Sequence, residues 1–415
     1  MTGLSDGQSG ENRHRVSRSP VTADLPVRAV IDLDAIASNY RLLASRVAPR
    51  PVYAVVKADA YGHGAVPVAS RLAREGADRF AVANPEEGAA LRRGGVAGEI
   101  LVLSRADARD VPRLTAYGLA PALYDAEQAE SIATEASRAS APLAVHLELD
   151  TGMGRAGFRP EQLEAVIALL RRARGLRLAG TFANLSRADD PSSPETARQV
   201  ELLRAGAARL REAGIAPGLV HAANSAALLG TESAWLDAVR PGLALYGVAP
   251  RPATASAALS AAPSGAAVSG ALLVPAMTLE AAVTALRRVP AGTPLGYGGR
   301  FVTRRATTIA VLPIGYHDGF RRGLSGRAAV LLGGKRAPVV GAISMDVTLV
   351  DATEAPVHRG DRAVCLGRGG ADSITAWDLA EAVDTIPYEI LCGIGPRVPR
   401  VHVQAGEGDR VERPG

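Results

Sequence analysis

A lysine directly behind an apolar run is the first position equipped for covalent chemistry. In Ala54-Val55-Val56-Lys57-Ala58-Asp59-Ala60-Tyr61-Gly62-His63-Gly64, the amine of Lys57 ends a strand-like segment. Partial desolvation at such a place lowers an amine's pKa, and the neutral amine forms an imine with an aldehyde. The plainer alternative is a snorkelling lysine at a strand end, and Gly62-His63-Gly64 taken alone is a tight turn. A second group is His221-Ala222-Ala223-Asn224-Ser225, followed by Arg240-Pro241-Gly242. A serine at a helix start offers a hydroxyl and backbone N–H groups to a phosphate, or it is an ordinary N-cap. A third is Asp150-Thr151-Gly152-Met153-Gly154-Arg155, a glycine loop whose arginine suits a bidentate carboxylate or is simply solvated. The C-terminal third adds Gly296-Tyr297-Gly298, Ile314-Gly315-Tyr316-His317-Asp318-Gly319 and Ser344-Met345-Asp346. Each of these also reads as a packed aromatic or a turn. A free tyrosine titrates at about 10, so Tyr297 needs neighbouring cations or a preorganised hydrogen bond to act as a base near neutrality.

Positioning these groups requires a frame. Strand-like runs occur at Pro51–Val56, Phe80–Ala83, Ile100–Leu103, Leu119–Leu123, Leu143–Leu149, Arg177–Ala183, Leu219–His221 and Leu243–Gly247. Helix-like segments alternate with them. In one, Asn84 caps, Pro85 takes the first helical position, Glu86 and Glu87 fill the first turn and Gly94 ends it. In another, Asp34–Val47, Ile36, Tyr40, Leu43 and Val47 share one face. Eight such repeats predict an α/β fold: an N-terminal (β/α)8 TIM-type barrel over 27–250, with a doubly wound open sheet as the alternative. In a barrel, Lys57 lies at the C-terminal mouth, where active sites sit. Residues 251–270 shift to Ala, Ser and Pro and read as a linker or insertion. From 271 to 404 short runs such as Thr307–Leu312, Ala328–Leu332, Val339–Ile343 and Ala363–Leu366 predict a mainly β second domain. Residues 1–26 read as a disordered tail and 405–415 as a frayed one.

Composition narrows the function classes. The 415 residues are 47% hydrophobic and 21% charged, enough for a barrel core. The formal net charge of +5 is spread mostly over arginines, with no basic block interleaved with aromatics, which argues against nucleic acid. No apolar run long enough for a membrane span or a secretory signal occurs, so the cytoplasm is the expectation. Two cysteines, Cys365 and Cys392, make neither a disulfide framework nor a zinc site, and the seven histidines lack metal-ligand spacing.

Lys57-Ala58-Asp59-Ala60-Tyr61-Gly62-His63-Gly64 resembles the cofactor-lysine signature of the alanine racemase family, and the resemblance runs from about Val27 to Val403. It implies a pyridoxal 5'-phosphate-dependent isomerase that interconverts L- and D-alanine, built as barrel plus β domain. It also implies a homodimer whose active sites draw on both subunits, acting on a small amino acid. D-alanine biosynthesis for the cell wall is the implied role, with specialised metabolism the alternative. By the same resemblance Lys57 binds the cofactor and is one catalytic base, and Tyr61 contacts the phosphate. Ser225 and the backbone at Gly242 hold the phosphate, and Arg240 faces the pyridine nitrogen. A protonated arginine there keeps the ring nitrogen neutral and disfavours transamination. Arg155 lies near the cofactor phenolate and the substrate carboxylate. Tyr297 is the second base, reaching into the other subunit's site; Tyr316 lines the entrance and Met345 adjoins the substrate carboxylate.

Four positions depart from the family pattern. Glu148 stands where many members carry a carbamylated lysine, and the expectation is that its carboxylate supplies that negative charge beside Arg155. Asn184 replaces a histidine that packs against the cofactor ring. Ala342 and Pro396 replace an arginine and a tyrosine around the entrance and phosphate, leaving that side less polar. These changes keep a racemase or epimerase for another amino acid as the alternative. A fold-related amino-acid decarboxylase is the further one, opposed by Arg240 where those enzymes place a carboxylate.

Overall fold

The computed structural model describes residues 25–104, 106–251, 267–268, 271–405 and 407–412. Residues 1–24 and most of the 251–270 segment therefore lie outside the described residues. Eight strands precede residue 222: β1 (Val27–Asp32), β2 (Ala54–Val55), β3 (Arg79–Val82), β4 (Glu99–Val102), β5 (Leu119–Leu123), β6 (Leu143–Glu148), β7 (Leu176–Phe182) and β8 (Leu219–His221). β2 to β8 form one parallel sheet in chain order, with helices between them. Phe80, Ala81 and Val82 of β3 and Ile100, Leu101 and Val102 of β4 are fully buried. Such unbroken apolar runs are what strands covered on both faces require.

Two boundaries differ from the sequence reading. Leu243–Gly247, expected as the eighth barrel strand, is a 3-10 turn over Leu243–Tyr246 that leaves through Gly247 in the left-handed region. All four of its residues are buried, and a short buried apolar run has no periodicity that separates strand from turn. The eighth position is instead taken by the preceding residues, through parallel bridges His221↔Ala238 and Val52↔Val239, which close the ring. β1 does not join the barrel. It pairs antiparallel with Met277–Ala282 and parallel with Arg400–Gln404 in the sheet of the second domain. Immediately after it, Asp32 caps the helix Leu33–Val47 by accepting from the N–H groups of Asp34 and Ala35.

The second domain is a mainly antiparallel sheet that includes Thr307–Leu312, Ala329–Leu332, Lys335–Val340 and Arg362–Gly369, close to the expected strands. The expected frayed tail is partly ordered, because Glu407–Glu412 pairs antiparallel with Arg400–Gln404. The helix predicted from Asn84 to Gly94 is present as Pro85–Arg93, with the Asn84 side chain accepting from Glu87 N–H. No helix among the described residues is long and apolar enough to cross a membrane.

Candidate active site

Lys57 follows β2 at the barrel mouth. The four residues behind it, Ala58, Asp59, Ala60 and Tyr61, all take left-handed helical backbone, with φ 53–54° and ψ 42–49°. L-residues pay roughly 1–2 kcal/mol each for this conformation, so the turn must be imposed from outside. The Glu87 carboxylate accepts from Ala58 N–H at 2.9 Å and from Ala83 N–H at 2.7 Å. Asp59 Oδ1 accepts from Ala65 N–H at 2.7 Å. From the second domain, Arg400 Nε donates to Gly62 O at 3.0 Å and His402 Nε2 to His63 O at 2.7 Å. A Cβ on Gly62 would come within 2.5 Å of the Leu391 carbonyl oxygen, so the clamp needs glycine there. His63 is fully buried, stacks on Tyr246 at 4.5 Å and contacts the carbonyls of Ala60 and Tyr61 through Nδ1. Burial lowers its pKa to about 4, against those two backbone contacts.

This turn fixes the two side chains that matter. The Lys57 ammonium is disfavoured first by burial and then by the charge of Arg155, with Glu87 opposing and Arg240 adding to the shift, so its pKa falls. Tyr61 is buried against Tyr246 and Tyr388, and burial raises its pKa, keeping the hydroxyl protonated. A Cβ on Gly242 would come 2.4 Å from the Tyr61 hydroxyl oxygen. Beside it Ser225 Oγ accepts from the N–H groups of Gly242 at 2.9 Å and Ala244 at 3.2 Å. Ser225 opens the helix Ser225–Gly230, capped by the Asn224 side chain. Two hydroxyls and a close backbone approach thus form a small cradle with the donor chemistry of a phosphate site.

Arg240 is buried in the floor of the mouth. Its Nη1 donates to His221 Nδ1 at 2.5 Å and His221 O at 3.0 Å, and its Nη2 to Ala183 O at 2.9 Å. Longer contacts from Nη2 reach Asn184 Oδ1 and Ala222 O, both at 3.3 Å. Nε–H has no hydrogen-bond partner among the described residues. Burial lowers the guanidinium's pKa to about 10, which leaves it charged at neutrality. Asn184 links this group to Glu148, donating from Nδ2 to Glu148 Oε1 at 2.7 Å.

Glu148 is buried, and burial raises its pKa, with Asn184, Arg155 and Arg240 opposing. Its direct partner is Asn184; it makes no ion pair with Arg155 within 4 Å, contrary to the expectation that it replaces a carbamate there. Arg155 is exposed on a loop shaped by Asp150 Oδ1, which accepts from the N–H groups of Gly152, Met153 and Gly154. Among the described residues no carboxylate pairs with it.

The chain gathers Lys57, Tyr61, Ser225, Arg240, Gly242, Asn184 and Glu148 at one mouth. Arg155, on the loop after β6, acts on Lys57 and Glu148 through its charge, and the remaining candidates sit on the second domain. Tyr297 is 76% exposed and Met345 50% exposed among the described residues. Tyr316 and Met345 belong to adjoining segments, joined by Tyr316 N–H to Ser344 O at 3.0 Å and His317 N–H to Met345 O at 3.1 Å. Ala342 packs against the turn before Tyr297, since a Cβ on Gly296 would meet its backbone nitrogen at 2.9 Å. Next to Pro396, Arg397 ties Asp318 and Asp346 together at 2.5 and 2.6 Å. Glu87 and Arg397 were not singled out by their sequence patterns. Glu87 read only as a first-turn acid, and Arg397 has no acidic neighbour at a helical spacing.

Comparison with known proteins agrees with this geometry. Residues 31–250 match the family "Alanine racemase, N-terminal domain" and residues 276–402 match "Alanine racemase, C-terminal domain". The alanine racemase of Symbiobacterium thermophilum is 41% identical over 379 residues, covering 91% of this chain and 97% of that one. The crystal structure of alanine racemase from D-cycloserine-producing Streptomyces lavendulae superposes with a TM-score of 0.85 at 35% identity, over 92% of this chain and 97% of that one. The alanine racemase of Bartonella henselae, solved with covalently bound pyridoxal phosphate, gives 0.80 at 30% identity, over 91% and 100%.

Proposed function

The chain belongs to the alanine racemase family, and on that premise we propose how its residues interconvert L- and D-alanine with pyridoxal 5'-phosphate. The cradle carries the proposal: Tyr61 and Ser225 hydroxyls face the Gly242 backbone within reach of a partly desolvated lysine. These residues fit the cofactor. Tyr61, Ser225 and the backbone at Gly242 would hold its phosphate, Lys57 would anchor its aldehyde carbon, and Arg240 would offer Nε–H to its ring nitrogen. Asn184 stands at the ring in place of the family's histidine. When bound, the cofactor supplies an electron-withdrawing system that acidifies the α-hydrogen of an amino acid linked to it.

The chain's own groups then do the rest. Arg155, unpaired by any carboxylate of the described residues, grips the substrate carboxylate. Lys57, its ammonium disfavoured by burial, holds or delivers a proton on one face of the α-carbon. The partner subunit's Tyr297 does so on the opposite face, and two bases on opposite faces are what inversion requires. Tyr316 and Met345 form the entrance and the wall near the carboxylate. The exposure of Tyr297, Tyr316 and Met345 on one chain supports a homodimer that would cover them. Two free cysteines and the absence of a membrane-crossing helix among the described residues accord with a cytoplasmic enzyme.

The test is to incubate holoenzyme with single L-amino acids in deuterated water, following α-hydrogen exchange by NMR and enantiomer ratio by chiral chromatography. L-alanine should exchange fastest and approach an equal mixture. Faster exchange of another amino acid would assign the enzyme to that substrate, and loss of the carboxyl carbon would mark a decarboxylase.

A further inference from the structure

Behind Arg240 the barrel interior holds polar groups that the steps above do not use. His221 at the end of β8 is fully buried between two rings, Phe182 at 5.2 Å and 6° and Tyr53 at 5.1 Å and 26°. Next to it lies His146 of β6, then Glu99, the first residue of β4. The contacts run from Arg240 Nη1 to His221 Nδ1 at 2.5 Å, from His221 Nε2 to His146 Nδ1 at 3.0 Å, and from His146 Nε2 to Glu99 Oε1 at 2.8 Å. Tyr53 also donates to Glu99 Oε1, at 2.8 Å. Because β4 begins at Glu99, the line crosses the barrel from its mouth to its opposite end.

Proton positions along this line follow by elimination. A guanidinium has no acceptor, so His221 Nδ1 accepts. Burial, joined by the charge of Arg240, presses the pKa of His221 far down, so the ring is neutral and its proton is on Nε2. That proton is donated to His146 Nδ1, which leaves the His146 proton on Nε2, facing Glu99. In this order every donor meets an acceptor. Glu99 itself is raised by burial, but its contacts with His146, Tyr53 and Arg79 outweigh that and hold it below the usual carboxylate range. Space for the line is built in: a Cβ on Gly180 would come 2.4 Å from His146 Nδ1, and β6 shifts register against β7 between Val145 and His146.

We propose that Glu99 is a remote positioning residue, whose carboxylate fixes the tautomers of His146 and His221 so that Arg240 is held from behind with Nε–H left for the cofactor's ring nitrogen. The inference rests on the placement of that ring beside Arg240 proposed above. With Glu99 as the terminal acceptor, the guanidinium stays anchored, and the ring nitrogen keeps a donor that does not surrender its proton. Without that terminal acceptor His146 can turn its proton toward His221, the His221 proton then moves to Nδ1, and two donors face each other at Arg240 in a buried site.

Nitrogen-15 spectra of holoenzyme with labelled histidine read the tautomers directly. His146 and His221 should both show protonated Nε2 and bare Nδ1; an imidazolium or an Nδ1–H form at either ring overturns the proposal. Glu99→Leu should mix the tautomers and lower kcat about tenfold, with a much smaller change in KM. It should also speed the side reaction in which the substrate's amino group passes to the cofactor and the amino acid leaves as its keto acid, seen as decay of the visible band during turnover. Glu99→Gln keeps a neutral acceptor and should restore the tautomer order and most of kcat; if Glu99→Leu does not fold, the wild-type and Glu99→Gln spectra still decide. Mixed tautomers with wild-type kcat and wild-type band decay would sink the proposal. Arg240→Lys tests the underlying reading separately. If its bound cofactor keeps the wild-type ring-nitrogen shift, the ring is not beside Arg240, whatever the histidine spectra show.

Discussion

Two buried positions at the mouth make opposite demands on substitution. Gly242 has no room for a methyl group, because a Cβ there would sit 2.4 Å from the Tyr61 hydroxyl. Gly242→Ala should therefore displace Tyr61 and weaken cofactor binding by about tenfold or more in an equilibrium titration, while leaving the fold intact by circular dichroism. Glu148 carries the reverse message. Its pKa is raised, mainly by burial, so the folded chain prefers the protonated carboxyl. Stability from that preference is fullest below the ordinary carboxylate pKa and is lost as pH rises through the raised value. Glu148→Gln should leave thermal stability near pH 4 unchanged and raise Tm at pH 7; an equal Tm difference at both pH values would show that the charge is not the cause. The runs that carry Lys57, Tyr61, Ser225, Arg240 and Gly242 were legible because each combines distinctive types at a strand end, and the roles proposed for them come from the family resemblance. The partner of Glu148 was not, since strand alternation tells which way a side chain points and nothing about which of Arg155 and Asn184 meets it.

At the scale of elements, the left-handed turn Ala58–Tyr61 is the least typical part of the chain. Ala58 is exposed, so substitutions there test backbone strain with little change in packing. Ala58→Val should cost about 1–2 kcal/mol in urea unfolding, whereas Ala58→Gly should be neutral or mildly stabilising. A Val variant as stable as wild type would mean that the turn does not persist in solution. The sequence carried no sign of this turn beyond Gly62-His63-Gly64, because non-glycine residues take that conformation only under contacts from elsewhere. Those contacts come from Glu87, nearly thirty residues on, and from Arg400 and His402 in the other domain. The missing eighth strand has a similar cause, as Leu243–Tyr246 is apolar enough for a strand and is turned by the glycines at either end.

Across the whole molecule, the groups proposed for catalysis fall on two domains. Lys57 lies in the barrel mouth and Tyr297 stands 76% exposed on the second domain. Mixing inactive Lys57→Ala and Tyr297→Phe variants, with subunit exchange, should restore about one quarter of wild-type activity. Half the dimers are then mixed, and each mixed dimer has one site with both bases intact. No recovery in a mixture shown to exchange would place both bases within a single chain. The two-domain division was readable from the change in composition after residue 250, but the allegiance of β1 was not, because pairing with Met277–Ala282 and Arg400–Gln404 leaves no local trace. That pairing also sets a timetable on the ribosome. β1 is made first, and its parallel partner comes nearly last, roughly 20–75 s later at typical elongation rates. The barrel can close in the interval, so the nascent chain passes through a stage with a folded barrel and a first strand whose edges are unpaired. Release of the chain anywhere short of residue 400 would leave that strand's edge open to neighbouring polypeptides.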